Sequence, residues 1–134
     1  MFFFKRKQKS DFHILIIDDD KDFLSSMAVW FKSQEYSVEA VASGEEALKI
    51  LKKAKPNIIF LDFFMPGMDG LETLKNIRRM KIKVPVVMLS KDTPEDICLA
   101  AYALGINAIL DKTLDFYNAQ HLINSLARVV SRPR

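Results

Sequence analysis

The chain has 134 residues, 49% of them hydrophobic, and a formal net charge of +3. This length fits one domain with an ordinary buried core, and we expect no second output domain. Four cations lie within the first ten residues, so the rest of the chain carries a net charge of −1, and we expect no nucleic-acid partner.

We divide the chain into a basic extension over residues 1–10, a folded domain over 11–131 and a tail over 132–134. The extension begins with one methionine and three phenylalanines, an apolar run too short for a signal sequence or a membrane span. A weak membrane-surface contact is an alternative, since each Lys or Arg near an anionic leaflet contributes only about 1 kcal/mol. The single cysteine, Cys98, fits a reducing compartment, and we predict a cytoplasmic protein.

Apolar runs alternate with helix-like stripes along the chain, which is typical of an α/β domain. We predict strands over 13–17, 36–40, 57–61, 84–89 and 108–110. Apolar residues recur at helical spacing between and after these strands, over 23–31, 47–51, 71–77 and 116–130.

Local signals mark the helix ends. Ser43 begins a capping box, Pro94 is predicted at a first helical position, and Gly105 at a helix end that needs a positive φ. We interpret Asp20 and Asp22 as helix-entry residues rather than metal ligands, since acids favour the first turn of a helix. Asp69 immediately precedes a helical stripe, so we interpret it as an N-cap rather than a catalytic acid. Five repeats of strand and helix predict a doubly wound parallel sheet with helices on both faces.

Polar side chains follow four of the predicted strands. An acidic triplet, Asp18 to Asp20, follows the first strand. Asp62 follows the third strand, Ser90 the fourth and Lys112 the fifth. Connections from strand to helix lie at the carboxyl edge of a parallel sheet, so these groups converge there although they are far apart in sequence.

Converging carboxylates repel one another, which raises their pKa values unless a cation neutralises them. Mg2+ (or Mn2+) fits this role because it prefers hard oxygen ligands. A carboxylate in such a site can attack a phosphoryl group and form an aspartyl phosphate. The charge that develops on the phosphoryl oxygens is then stabilised by the metal, a hydroxyl and an ammonium, which matches Ser90 and Lys112.

The chain resembles the receiver domain of two-component response regulators, including the single-domain chemotaxis (CheY-like) type, over residues 11–130. Four motifs carry the resemblance in the order and spacing of the family: residues 14–20, 61–70, 85–90 and 103–112. The resemblance implies a flavodoxin-like, five-stranded parallel sheet of order 2-1-3-4-5 flanked by five helices.

The resemblance also implies a role for each acid of the site. Asp62 is the implied phosphoacceptor. Asp18 and Asp19 are implied to bind Mg2+, together with Asp62 and the backbone carbonyl of Phe64.

The implied phosphodonor is a histidine kinase or a histidine phosphotransfer protein. Ser90 is implied to follow the phosphoryl group and Lys112 to pair with it. The implied output is a protein-binding surface over 94–104, 108–110 and 115–130. A homodimer is an alternative, because the apolar helix over 97–104 could pair with another copy if its outer face is exposed. Apart from Mg-assisted self-phosphorylation and autodephosphorylation, we expect no enzymatic activity.

Three residues depart from the family pattern. Thr113 replaces the proline after the lysine, and since a cis bond before a non-proline residue costs roughly 2.5 to 4 kcal/mol, we predict a trans bond there. Ile109 replaces the aromatic switch residue, so we expect a weaker or different readout. Lys91 brings a long cation to the pocket mouth, where it either pairs with the acids or hinders the donor, and we predict slow or donor-selective phosphorylation.

Two other functions need weighing. In a phosphorylation-independent scaffold, the same three departures lock one conformation while the pocket persists. In a phosphotransferase of the haloacid dehalogenase kind, Asp18 is the nucleophile and Asp20 the acid. That second alternative is poor, because no pair of acids follows Lys112 to hold Mg2+ and Asp62 has no role in it.

Overall fold

The computed structural model describes residues 9–113 and 116–130, with side chains up to residue 126. Its five strands form one parallel sheet in the order β2-β1-β3-β4-β5, which confirms the predicted α/β fold and strand order. The strands are β1 His13–Ile17, β2 Ser37–Val41, β3 Ile58–Asp62, β4 Val86–Ser90 and β5 Ala108–Asp111. The helices are α1 Lys21–Ser33, α2 Gly44–Leu51, α3 Gly70–Arg79, α4 Glu95–Ala103 and α5 Phe116–Val130.

Most of the predicted extension and the whole predicted tail lie outside the described residues, as does the first residue of the predicted 115–130 surface. The described end of the extension forms a short 3-10 turn, Lys9–Asp11, directly before β1. Among the described helices, none is long and apolar enough to span a membrane.

Each face of the sheet carries its own hydrophobic core. Leu15 and Leu61 pack with the residues of α2, α3 and α4, whereas Ile16 and Phe60 pack with those of α1 and α5. All four side chains are almost completely buried, because successive residues of a strand point to opposite faces and both faces are covered here. This packing fixes the positions of the polar residues that follow at the strand ends.

β2 ends one residue later than predicted, at Val41, and three further strands end one residue later on a polar residue, at Asp62, Ser90 and Asp111. The reason is that the parallel ladders continue past the last apolar residue. Asp62 lies opposite Leu89, and Ser90 lies opposite Asp111. These polar residues are therefore held on strands rather than on free loops.

Three strands begin later than predicted, and β3 does so by one residue, at Ile58. β4 begins at Val86 because Pro85 has no N–H to donate, although its carbonyl accepts a hydrogen bond from Ile59 N at 2.9 Å. β2 begins one residue after Tyr36, whose N–H donates to Phe31 O at 3.2 Å and so still belongs to the end of α1.

The predicted helix ends agree with the structure except at α4. Asp20, Ser43 and Asp69 are N-caps, and each accepts a hydrogen bond at 2.9 to 3.2 Å from the N–H three residues later. Gly105 has a φ of +81°, as predicted. Pro94 is the N-cap of α4 and not its first residue, because its ψ of 147° is extended.

Arg78 connects three segments of the chain at the end of the sheet opposite the carboxyl edge. From the end of α3 its guanidinium donates four hydrogen bonds, to the carbonyls of Ile82, Val84, Leu104 and Gly105, at 2.9 to 3.3 Å. We call Arg78 with these four carbonyls the Arg78 clamp. The clamp joins α3 to the entry of β4 and to the end of α4.

Candidate functional site

Three carboxylates meet at the carboxyl edge of the sheet. Asp18 is completely buried, Asp62 is 6% exposed, and Asp19 is exposed to solvent. One oxygen atom of each lies within 4.8 Å of the other two. We call these three acids, together with Lys112, the acidic edge. The structure thus brings together residues that are 44 positions apart along the chain, as the strand pattern predicts.

Backbone contacts fix both buried acids. Asp18 N donates to Val41 O at 3.1 Å, and Asp18 Oδ1 accepts a hydrogen bond from Asp20 N at 2.9 Å. Asp62 is the last residue of β3, where its ladder position opposite Leu89 holds it. Asp20 points its own carboxylate to the start of α1, so it is a helix cap and not a member of the acidic edge.

Lys112 is the cation of the acidic edge. Its Nζ lies 2.8 Å from Asp18 Oδ2 and 3.8 Å from Asp62 Oδ2, and its side chain is 12% exposed. Its backbone N–H donates to Ser90 O at 2.9 Å, which holds the residue after β5 close to the end of β4. The ammonium therefore forms a close ion pair with Asp18 and stands beside Asp62.

The acids of this edge outnumber the cation, and the charges influence each other's protonation. Burial, and then the charge of Asp18, raise the pKa of Asp62 to about 7, although the charge of Lys112 opposes this shift. Burial lowers the pKa of Lys112, but the hydrogen bond and charge of Asp18 outweigh burial, and the pKa lies above its usual value. A divalent cation among the carboxylates would favour the charged form of Asp62. Clustered hard oxygen donors are the ligands that Mg2+ and Mn2+ prefer.

The loop after Asp62 turns sharply against α3. Gly67 has a φ of +74°, and Gly70 N donates to Phe63 O at 2.9 Å. A Cβ on Gly70 would lie 2.2 Å from Asp62 O, so only glycine fits there. The sequence run predicts a loop, but this close approach depends on how α3 packs. Phe64 lies in the same loop with its side chain 50% exposed, and the metal-binding role of its carbonyl stays a prediction.

The hydroxyl of Ser90 already has an acceptor. Ser90 Oγ donates to Thr93 Oγ1 at 2.7 Å, in the connection between β4 and α4. Sequence reasoning identified Ser90 but missed Thr93, for which the only signal was a second hydroxyl three residues later. Binding of a phosphoryl oxygen by Ser90 therefore requires the hydroxyl to leave Thr93.

Thr113 is held by Asp111 across Lys112. Among the described residues no peptide bond is cis, so the Lys112–Thr113 bond is trans, as predicted. Thr113 N and Oγ1 both donate to Asp111 Oδ1, at 2.8 and 2.7 Å. These hydrogen bonds hold the pKa of Asp111 below its usual value. Proline has no N–H and no hydroxyl, so it could not form the two hydrogen bonds by which Asp111, a residue that sequence reasoning missed, holds Thr113.

The other two departures lie beside the site. Ile109 is half-buried and packs against the core under α4, and its place as the switch position stays a prediction. Lys91 is exposed, and the two ion pairs found among the described residues both involve Lys112 instead. The described structure therefore gives no ion pair of Lys91 with the acids, which was one of the two roles considered for it.

An aromatic ring borders the acidic edge. Lys112 Nζ lies 4.6 Å from the centroid of the Phe23 ring, which belongs to α1. The helical stripe of the sequence assigned Phe23 to the core and not to the site, because periodicity contains no information about which lysine a ring will face.

The chain matches the family model described as the response regulator receiver domain over residues 14–125. It is 32% identical to the response regulator SaeR of Staphylococcus epidermidis over 100 residues, which cover 75% of this chain and 43% of SaeR. The chain therefore corresponds to less than half the length of this curated relative.

Solved structures share the fold. A two-component response regulator from Clostridium difficile superposes with a TM-score of 0.84 at 24% identity, covering 90% of this chain and 99% of the other. The response regulator TrrA of Thermotoga maritima, in complex with Mg(2+)-BeF, superposes with a TM-score of 0.77 at 24% identity, covering 86% and 98%.

Proposed function

The chain belongs to the response regulator receiver domain family of two-component systems, and we propose that Asp62 accepts a phosphoryl group from a histidine kinase or a histidine phosphotransfer protein. One observation carries the proposal: oxygen atoms of Asp18, Asp19 and Asp62 lie within 4.8 Å of one another, with the ammonium of Lys112 beside them. Mg2+ or Mn2+, bound by the three acids and the carbonyl of Phe64, supplies charge neutralisation when present.

In the proposed transfer, a carboxylate oxygen of Asp62 attacks phosphorus while the bond from phosphorus to the donor nitrogen breaks. Asp62 must be deprotonated to attack, and its raised pKa means that this form increases with pH and with metal binding. Lys112, 3.8 Å from Asp62, is placed to bind a phosphoryl oxygen through an ammonium N–H.

We assign a second phosphoryl oxygen to Ser90. To donate to it, the hydroxyl exchanges its acceptor Thr93 for the phosphoryl group. Thr93 immediately precedes the N-cap of α4, so this exchange removes a contact at the start of that helix. We propose that the surface over 94–104, 108–110 and 115–130 reports this change to a protein partner, with Leu99 and Tyr102 as its exposed apolar side chains on α4.

The direct test is incubation with a small-molecule phosphodonor and Mg2+, followed by intact mass measurement. We expect one added phosphoryl group, lost on addition of EDTA and absent in Asp62→Asn. Asp69→Asn is the matched control, because Asp69 is an acid of the following loop that caps α3 and stands outside the acidic edge. If no donor of this kind and no phosphohistidine protein adds a phosphoryl group, the proposal is wrong.

A phosphorylation-independent scaffold remains the second candidate, since Ile109 stands at the switch position and Asp111 fastens Thr113. The two candidates differ in whether phosphorylation of Asp62 changes the affinity for a partner. Partner affinity that is the same for wild type, for phosphorylated wild type and for Asp62→Asn supports the scaffold; affinity that changes on phosphorylation supports the switch.

A further inference from the structure

The ring of Phe23 occupies a defined place beside the acidic edge. It lies in the first turn of α1, where its N–H donates to the N-cap Asp20 at 3.2 Å. It packs edge to face against Phe116 of α5, with 5.9 Å between ring centroids. Two helices therefore hold the ring, and its face is directed at Lys112.

The neighbours of the Lys112 ammonium lie at different distances from it. Nζ lies 2.8 Å from an oxygen of Asp18, 3.8 Å from an oxygen of Asp62 and 4.6 Å from the Phe23 ring centroid. An ammonium has three N–H donors, and a ring attracts it through its quadrupole without taking the place of a strong acceptor. The ring thus holds the cation while a donor stays available for a phosphoryl oxygen.

A long lysine side chain needs such a restraint. Its four-carbon stem has about 2 kcal/mol of rotamer entropy to lose when the ammonium is held in one place. Asp18 alone restrains Nζ by one contact, and that contact draws it toward the buried acid rather than toward Asp62. The ring restrains it from a further direction, so that the two contacts together define the position beside Asp62.

We propose that Phe23 is a positioning residue whose ring holds the ammonium of Lys112 beside Asp62 and thereby sets the rate at which Asp62 is phosphorylated. This inference rests on the proposed function, since it concerns the same transfer.

The test compares Phe23→Leu, which keeps an apolar side chain without a ring, with Phe23→Tyr, which keeps the ring. With acetyl phosphate and Mg2+, we expect Phe23→Leu to be phosphorylated about threefold to tenfold more slowly than wild type, and Phe23→Tyr within about twofold. A small-molecule donor is essential here, because a protein donor could also contact α1.

Phe12→Leu is the matched control for lost packing. Phe12 belongs to the same core and packs edge to face on Tyr36. It directly precedes β1, so it lies at the end of that strand opposite the acidic edge. We expect this variant to lose thermal stability and to keep the wild-type phosphorylation rate. Should Phe23→Leu fail to fold, Phe23→Met removes the ring and takes its place in the comparison.

NMR of the Lys112 side chain gives a readout that altered packing elsewhere does not move. The ring current should shift the methylene protons next to Nζ upfield in wild type and Phe23→Tyr, and the shift should be lost in Phe23→Leu. Equal phosphorylation rates in wild type and Phe23→Leu, or equal slowing in Phe23→Leu and Phe23→Tyr, overturn the inference alone. A wild-type protein that takes up no phosphoryl group overturns the proposed function, and this inference with it.

Discussion

The Arg78 clamp and the acidic edge both place charge in the protein interior, at opposite ends of the sheet. They differ in how far the neighbouring groups satisfy that charge. In the clamp, one guanidinium donates to four neutral carbonyls and its donors are used by the fold. At the acidic edge, three carboxylates share one ammonium, and burial raises the pKa of Asp62 to about 7. The clamp stabilises the native state, whereas the edge keeps charge uncompensated until a cation or a phosphoryl group arrives.

The comparison extends to α4, which lies between the two regions. Its carboxyl-terminal end is held by the clamp through Leu104 and Gly105. Its amino-terminal end has no side-chain cap, and the hydroxyl of Thr93 beside it accepts from Ser90. We therefore expect a change at Ser90 to displace the start of α4 more than its end.

The largest expected effect comes from breaking the clamp. Arg78→Met keeps the apolar stem and removes all four hydrogen bonds, so the carbonyls that remain buried lose their donor. We expect a loss of about 2 to 4 kcal/mol in the free energy of unfolding, measured by urea denaturation. Arg79→Met is the matched control, because Arg79 is the exposed neighbour on α3. Equal stability of the two variants would show that the clamp is unimportant.

At the acidic edge we expect a substitution to raise the free energy of unfolding rather than to lower it. The pKa of Asp62 is raised from 3.8 to about 7, so its contribution to stability is fully present below pH 4 and is lost as the pH rises through 7. In EDTA, Asp62→Asn should therefore be more stable than wild type by about 1 to 3 kcal/mol at pH 8. The difference should shrink at pH 5. Thermal unfolding at both pH values measures it, and a destabilised variant at pH 8 contradicts the expectation.

Bound metal should relieve the same repulsion between the carboxylates without any substitution. At a concentration about ten to thirty times its Kd, Mg2+ should raise the free energy of unfolding of wild type by about 1 to 2 kcal/mol at pH 8. The gain should fall in Asp19→Asn, which loses the exposed acid of the cluster, and persist in Asp22→Asn, an exposed acid of the first turn of α1. Loss of the gain in both variants alike would instead indicate a nonspecific ionic effect.

The smallest effect is expected where α4 begins. Thr93→Val removes the acceptor of the Ser90 hydroxyl and should cost about 0.5 to 1 kcal/mol of stability. Because Ser90 then has no competing acceptor in this contact, affinity for the phosphoryl analogue beryllofluoride should rise about twofold to fivefold. Thr93→Ser keeps the hydroxyl and serves as control. Weaker analogue binding in Thr93→Val than in Thr93→Ser would mean that Thr93 helps, rather than opposes, phosphoryl binding.

The fold and the acids of the site were accessible from sequence because both depend on local order. Apolar periodicity predicted each strand and four of the five helices, while the end signals at Pro94 and Gly105 bounded the fifth, and polar residues after buried strands predicted the convergence of Asp18, Asp62 and Lys112. The errors were confined to element boundaries. There, the pairing of Asp62 and Ser90 with neighbouring strands outweighed the change from apolar to polar side chains.

Sequence by itself determined the class of fold, the strand order implied by the family resemblance, and which acids, hydroxyl and ammonium meet at one edge. Only the tertiary structure decided which groups those residues contact: Phe23 against Lys112, Thr93 against Ser90, and Asp111 against Thr113. The physical reason is the distance along the chain over which each interaction acts. Turn chemistry and hydrophobic period act over a few residues, whereas the place of a ring beside an ammonium depends on how α1, α5 and the sheet pack together.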